Sequence, residues 1–290
     1  MNEISLLTSR GRFFVRDSGQ TNKPTLLLLH GWLESSSTWK SILPWLKDYR
    51  VVCPDLRGMG NSERTQDLRF YTKQNIAQDI VAIVDALELN SFFLVGHNWG
   101  GVVAQEIALA IPEQVEALCL MNTVIINNPL NSQLVEKVFH EKRLWHEHFT
   151  HQSNFPEEMI LSKEETWLRR LLRLFEQKPF PKDLLEEYLR TLQIPGTAAS
   201  ILNYYRAVFE YDLPRWQQLI RNQTVIPVNC LYLHGSRDSI IAPNYLQGAE
   251  KCFYAFDYIP LEAGHFVHVE KPAEIGTYIA QFLHQQSFVF

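Results

Sequence analysis

The segment Gly96-His97-Asn98-Trp99-Gly100-Gly101 restricts what this chain can fold into more than any other. An apolar run at 92–96 leads into it and a helix-like stretch at 101–110 leaves it, so the backbone must reverse sharply between a strand and a helix. Small residues on both sides of position 98 let such a strained turn pack tightly, with side chain 98 pointing up and the next helix starting beneath it. This is a nucleophile elbow, and the N–H of Trp99 at the helix start can stabilise an oxyanion. The glycine spacing alone recurs by chance; the flanking strand and helix make it specific. The residue at the tip is an asparagine, which is a poor nucleophile.

Short apolar runs at 25–30, 50–54, 92–96 and 117–121 alternate with helix-like stretches at 72–87 and 101–110, the pattern of a parallel sheet wrapped by helices. From about 124 to 221 the chain changes to charged amphipathic stretches such as 162–177 and 182–193. Alternation then resumes with strands at 228–233 and 253–259 and a final helix at 272–284. The expected organisation is an α/β core formed by residues 1–123 and 222–290, with a helical cap at 124–221 folded over the carboxyl edge of the sheet. Open α/β sheets bind their ligands at that edge.

A length of 290 residues suits one core carrying an insertion. The net charge of -5, with both signs interspersed, offers no basic stripe for nucleic acid or anionic lipid. No apolar run is long enough to span a bilayer and no secretory leader is visible, so a cytoplasmic protein is expected. Cys53, Cys119, Cys230 and Cys252 lie in apolar, strand-like stretches without a CxxC pair and read as reduced core residues. No His or Cys pair has zinc spacing, and no cofactor is called for. Oligomeric state is not readable, a homodimer included.

Other strand ends carry the remaining chemistry. Gly235-Ser236-Arg237-Asp238 and Gly264-His265 each follow a late strand, so the chain order is residue 98, acid, histidine. Asp238 would orient His265 and stabilise its imidazolium, and His265 would deprotonate a water. Taken singly, Asp238 could instead cap a helix near Ala242 and His265 could be an ordinary loop histidine. His30-Gly31-Trp32 follows the first predicted strand; His30 and Gly31 read as turn-formers and the Trp32 N–H as a second oxyanion donor. His140, His148, His151 and His268 read as surface or packing residues. A serine esterase would need Ser at the elbow, and Ser236, on the acid loop, cannot replace it without moving the whole geometry.

His30-Gly31-Trp32, Asp55-Leu56-Arg57-Gly58-Met59-Gly60-Asn61-Ser62, 96–101, 235–238 and Gly264-His265 together resemble the epoxide hydrolase and haloalkane dehalogenase branch of the α/β-hydrolase superfamily, over nearly the whole chain. The resemblance implies an aspartate at position 98 that attacks carbon, forming an ester which a His265-activated water hydrolyses. It also implies cap residues that hydrogen-bond an epoxide oxygen. Asn203-Tyr204-Tyr205-Arg206-Ala207 resembles the cap motif and aligns that role with Tyr205, leaving Tyr204 structural. Trp145-His146, Gln152 and Phe155-Pro156-Glu157 resemble a cap segment of the subgroup that includes fluoroacetate dehalogenase, where a histidine corresponding to His146 can replace a tyrosine. Trp99 and Val102 stand where that dehalogenase has arginines, which disfavours fluoroacetate. Small apolar epoxides and halogenated compounds remain the implied substrates.

Asn98 leaves three readings open. It could be a substitution that lets an active parent bind without turnover, a natural change in a ligand-binding protein on this fold, or an amide that His265 and water slowly hydrolyse. Trp145, Phe149, Trp167 and Phe175 read as glue between cap and core.

Overall fold

The computed structural model describes residues 1–129, 155–162, 164–175 and 178–286. Eight strands form one sheet: β1 (Asn2–Thr8), β2 (Gly11–Asp17), β3 (Thr25–Leu29), β4 (Arg50–Pro54), β5 (Phe92–His97), β6 (Val115–Met121), β7 (Ile226–Gly235) and β8 (Phe253–Leu261). Their order is β1-β2-β4-β3-β5-β6-β7-β8, with β2 antiparallel to both its neighbours and the rest parallel. The chain leaves β3 toward β4 on one side and returns to β5 on the other. The carboxyl ends of β3 and β5 therefore flank a switch point, where a crevice forms in open α/β sheets.

The central strands are apolar because both faces are covered. In β3, Leu27 and Leu29 pack on one side of the sheet while Leu26 and Leu28 pack on the other, the two-residue alternation of a strand. The first side carries α1 (Lys73–Ala86) and α2 (Trp99–Ala110), through residues such as Ile80 and Val103; the second carries α9 (Pro272–Gln286), through Ile275 and Ile279. Thr72 caps α1, its hydroxyl accepting from the Asn75 N–H at 3.2 Å.

Between β6 and β7 lie α3 (Phe155–Ser162), α4 (Glu164–Phe175), α5 (Lys182–Leu192), α6 (Thr197–Ala207) and α7 (Leu213–Arg221), with a π-turn at Val208–Asp212. The short α8 (Val267–Glu270) precedes α9. The amphipathic stretches are thus helices. Their buried side chains, Leu168, Leu172, Leu184, Tyr188 and Ile201 among them, join the hydrophobic cluster that covers the first face of the sheet.

Two elements depart from the sequence reading. The β1–β2 hairpin is absent from it because β1 is largely solvated and alternates too weakly to register as a buried strand. Helix α2 begins at Trp99 rather than 101, since Gly100 and Gly101 permit close approach instead of breaking the helix. All four cysteines are buried free thiols, three in strands and Cys252 in the turn before β8.

The motif at 55–62 has a structural role. The buried carboxylate of Asp55 accepts the N–H groups of Ser36 at 2.7 Å and Asn61 at 2.8 Å, and Arg57 clamps Asp79 through Nε and Oδ2 at 2.6 Å. These bonds order the loop after β4 beside the crevice.

A Cβ on Gly100 would fall onto the carbonyl oxygens of Leu29 and His30. Gly100→Ala is therefore expected to destabilise the fold by about 3 kcal/mol, because backbone rather than a flexible side chain would have to move. Urea unfolding measures this, and a loss below about 1 kcal/mol would show that the elbow has slack.

Candidate active site

Asn98 is held at φ 50 and ψ −123, a left-handed conformation that projects its side chain out of the β5–α2 turn. Its main chain is anchored from below: the carbonyl accepts from Thr123 Oγ1 at 2.7 Å and from the Gly101 N–H at 3.0 Å. The side chain is bound at both ends. Oδ1 accepts the Trp32 N–H at 3.1 Å, and Nδ2 lies 3.0 Å from His265 Nε2. Since Trp32 N can only donate, the amide oxygen must face it and the amide nitrogen must face the histidine.

His265 sits in the loop between β8 and α8, and its Nδ1 lies 2.8 Å from Asp238 Oδ2. A carboxylate opposite Nδ1 and an amide donor opposite Nε2 define the tautomer: Nδ1 carries the proton and Nε2 accepts. Asp238 also accepts from Asn122 Nδ2 at 2.6 Å and from the Ile240 N–H at 2.7 Å. Burial alone would raise its carboxyl, but His265 and these donors outweigh burial and hold it below the usual range. Asp238 caps no helix; the turn at Pro243–Leu246 has no side-chain cap.

The Gly264 N–H donates to Glu270 Oε2 at 2.9 Å, and the N–H of Arg237 donates to the Ala263 carbonyl at 3.0 Å, so the loops bearing Asp238 and His265 are tied together. Asn122 was not foreseen. It stands directly after β6, and a polar residue at the end of a buried strand beside the elbow is the signal that could have found it.

Above this row, Tyr205 of α6 is buried against two indoles, its ring centroid 5.1 Å from Trp32 and 5.4 Å from Trp99. Tyr205, Asn98, His265, Trp32, Tyr188 and Phe266 line a narrow cleft with a cavity volume of about 20 Å³. Trp32 spends its single indole hydrogen on the Ile201 carbonyl at 2.7 Å. Trp99 opens α2, which puts its main-chain N–H next to Asn98. Tyr204 is buried and its hydroxyl donates to the Arg57 carbonyl at 2.9 Å, a packing role. His146, Trp145, Phe149, His140, His148, His151 and Gln152 lie outside the described residues. Trp167 packs edge-on against Trp32 at 6.4 Å.

His30 is a turn-former: Nε2 accepts the Leu56 N–H at 2.9 Å and Nδ1 bonds the Gly31 carbonyl at 2.8 Å. His268, expected at the surface or in packing, is fully buried in a polar network with Glu34, Thr38 and His97. Glu34, His97 and His268 bring potential metal-ligand atoms within 4.8 Å of one another, a cluster whose members lie too far apart in the chain for spacing to reveal.

Three buried histidines make the fold acid-sensitive. Burial pushes His268 down to about 4, aided by the neighbouring His97, and burial also lowers His30 and His234. Each then binds fewer protons folded than unfolded between its depressed value and 6.5. Their contribution is therefore complete above pH 6.5 and is lost as pH falls toward 4, about 3 kcal/mol for His268 alone. His268→Gln should flatten the decline of urea-derived stability between pH 6.5 and 4.5; an unchanged slope would contradict a neutral buried imidazole.

A doubly wound sheet with a residue-98 elbow, an acid after β7 and a histidine after β8 defines an α/β hydrolase. The match to the alpha/beta hydrolase fold family runs over residues 24–272, and the chain belongs to that family. Within it the chain is a hydrolase of the epoxide hydrolase branch. Mouse epoxide hydrolase 4 is 28% identical over 95% of this chain and 77% of its own length. YfhM of Bacillus subtilis, named as an AB hydrolase superfamily protein, is 25% identical over 94% of both. Among solved structures, a Pseudomonas aeruginosa protein provisionally named an epoxide hydrolase superposes with a TM-score of 0.88 at 26% identity, covering 99% of this chain and 96% of that one. Among the described residues no helix is long and apolar enough to cross a membrane.

Proposed function

We propose that the cleft binds small apolar epoxides at a complete hydrolase site that Asn98 holds nearly inert, and that a carboxylate at position 98 would make it open the ring to a diol. The observation that carries this reading is the bridging amide. Asn98 occupies the place of a nucleophile between an oxyanion donor, Trp32 N–H, and a histidine backed by Asp238. A neutral amide lacks the charge and free lone pair needed to attack carbon. Its Nδ2 hydrogen also occupies the lone pair of His265 Nε2 with which a water would be activated.

In the active form, side chain 98 attacks an epoxide carbon while Tyr205 donates a hydrogen bond to the ring oxygen. The second donor suggested by the sequence, His146, belongs to the same proposal. The N–H groups of Trp32 and Trp99 then stabilise the oxyanion formed when water attacks the ester. Haloalkane chemistry is the weaker reading, because Trp32 has committed its indole hydrogen to Ile201 and cannot also hold a halide.

A second reading has an observation of its own. The Asn98 side-chain oxygen Oδ1 already sits on an oxyanion donor and Nδ2 beside a base, so slow hydrolysis of the amide by water, releasing ammonia, would convert the chain to the active form. Binding is tested by thermal shift: a styrene-oxide-like epoxide should raise Tm without product. Ordinary turnover by a chain whose residue 98 is still an amide would overturn the proposal.

A further inference from the structure

The proposed ring opening needs the Tyr205 hydroxyl in one place, and a buried cation lies where α1, α2 and α6 meet beside it. Lys73, the first residue of α1, is fully buried. Its ammonium has three hydrogens to give and nothing to accept with. Three acceptors surround it: Asp212 Oδ2 at 3.0 Å, the Tyr204 carbonyl, and the face of the Trp99 indole, whose centroid is 4.3 Å away. The Tyr204 carbonyl belongs to the last turn of α6, where the Val208 N–H turns back to the Tyr205 carbonyl and the π-turn begins. A cation is favourable at such a helix end.

A buried ion pair adds little stability over two apolar side chains that fill the same space. What an apolar pair cannot do is donate to a main-chain carbonyl. Lys73 donates at the peptide that joins Tyr204 to Tyr205, and the same ammonium lies over the Trp99 ring, against which the Tyr205 ring packs edge-on at 5.4 Å. The phenol is thus held from two sides, through its own main chain and through the indole beneath it.

We infer that Lys73 is a positioning residue for ring opening, fixing the Tyr204–Tyr205 peptide and the Trp99 ring so that the Tyr205 hydroxyl meets the epoxide oxygen above side chain 98. In that step a carboxylate at position 98 bonds carbon and the ring C–O bond breaks. Its electron pair goes to the oxygen, which takes the Tyr205 hydroxyl proton; the water that later cleaves the ester returns it. Ester breakdown uses His265, a water and the main-chain N–H groups of Trp32 and Trp99, so a displaced phenol is felt in the first step. The effect on hydrolysis rests on the epoxide reading above, whereas the placement of Tyr205 does not.

The double change Lys73→Met with Asp212→Leu removes the donor without stranding a charge, so the fold is kept. Added to the Asn98→Asp chain, it should slow ester formation about 30-fold, the scale on which a misplacement of about 1 Å is felt, and change ester breakdown by less than about twofold. With Tyr205→Phe also present, the same double change should slow ester formation by less than about twofold more, because no hydroxyl is left to position. Undiminished ester formation, or the same loss with and without the Tyr205 hydroxyl, would reduce Lys73 to a packing residue. The placement can be read without any activity. A crystal structure of the double variant, with Asn98 in place, should show the Tyr205 ring shifted on Trp99 by about 1 Å, and an unmoved ring would overturn the inference. A folded Asn98→Asp protein that opens no epoxide overturns the epoxide reading alone, and the ring position then decides the role of Lys73.

Discussion

Asn98→Asp should raise diol formation from a styrene-oxide-like epoxide by on the order of 10⁴-fold or more, the scale on which loss of a nucleophile is felt. The change supplies a negative charge and lone pairs where the amide has neither. It also alters the contact with His265: a carboxylate has no hydrogen to offer Nε2, so the 3.0 Å bond opens and a water can enter between them. Trp32 N–H continues to hold one oxygen, which keeps the side chain oriented. In the same background His265→Gln should form the ester and fail to release it, so a stoichiometric mass adduct accumulates. A folded Asn98→Asp protein that opens no epoxide would sink both the proposed activity and the self-hydrolysis route. Prolonged incubation of the unsubstituted chain tests the latter separately, through amide-to-acid conversion at residue 98 in peptide maps.

Lys73→Met is expected to cost about 4 kcal/mol, because it strands Asp212 as an unpaired buried charge. Lys73 opens α1 and Asp212 ends the π-turn between α6 and α7, so their pair joins the inserted helices to the core. Nζ lies 3.0 Å from Asp212 Oδ2, the Lys73 N–H donates to Oδ1 at 3.0 Å, and the ammonium sits 4.3 Å from the Trp99 ring centroid. It also donates to the Tyr204 carbonyl. Burial pulls Lys73 down and pushes Asp212 up, and their mutual attraction offsets only part of this. For a chain of this size the loss corresponds to a fall in Tm of about 10 °C. The double change Lys73→Met with Asp212→Leu should recover most of it, since an apolar pair leaves no stranded charge. A single-variant loss under about 1 kcal/mol would mean that water reaches the pair.

Several features of the site are legible in the sequence for local reasons. The elbow at 96–101 is visible because only small residues fit where a strand meets a helix so closely. Asp238 and His265 are visible because each follows a buried apolar run and a glycine. Tyr205 is found only through resemblance, since a tyrosine at helical spacing is indistinguishable from a packing residue. The β1–β2 hairpin escapes notice because half-solvated strands lack a continuous apolar run.

Asn122, 116 residues from Asp238, and Glu34, 63 residues from His97, escape for a different reason: a buried polar residue declares its role through a partner. His268 shows this most directly, since its bond to Glu34 spans 234 residues.

The sequence by itself determined the parallel α/β framework, the strained turn that presents residue 98, and the absence of a nucleophilic carboxylate there. These follow from side-chain volume, hydrophobic period and the chemistry of one functional group, all of which act over a few neighbouring residues. Only the tertiary structure decided which way the Asn98 amide faces, that it covers the lone pair of His265, and that Lys73 reaches Asp212 and the carbonyl beside Tyr205. Those depend on donors and acceptors that the folded sheet brings within 3 Å of one another from distant parts of the chain.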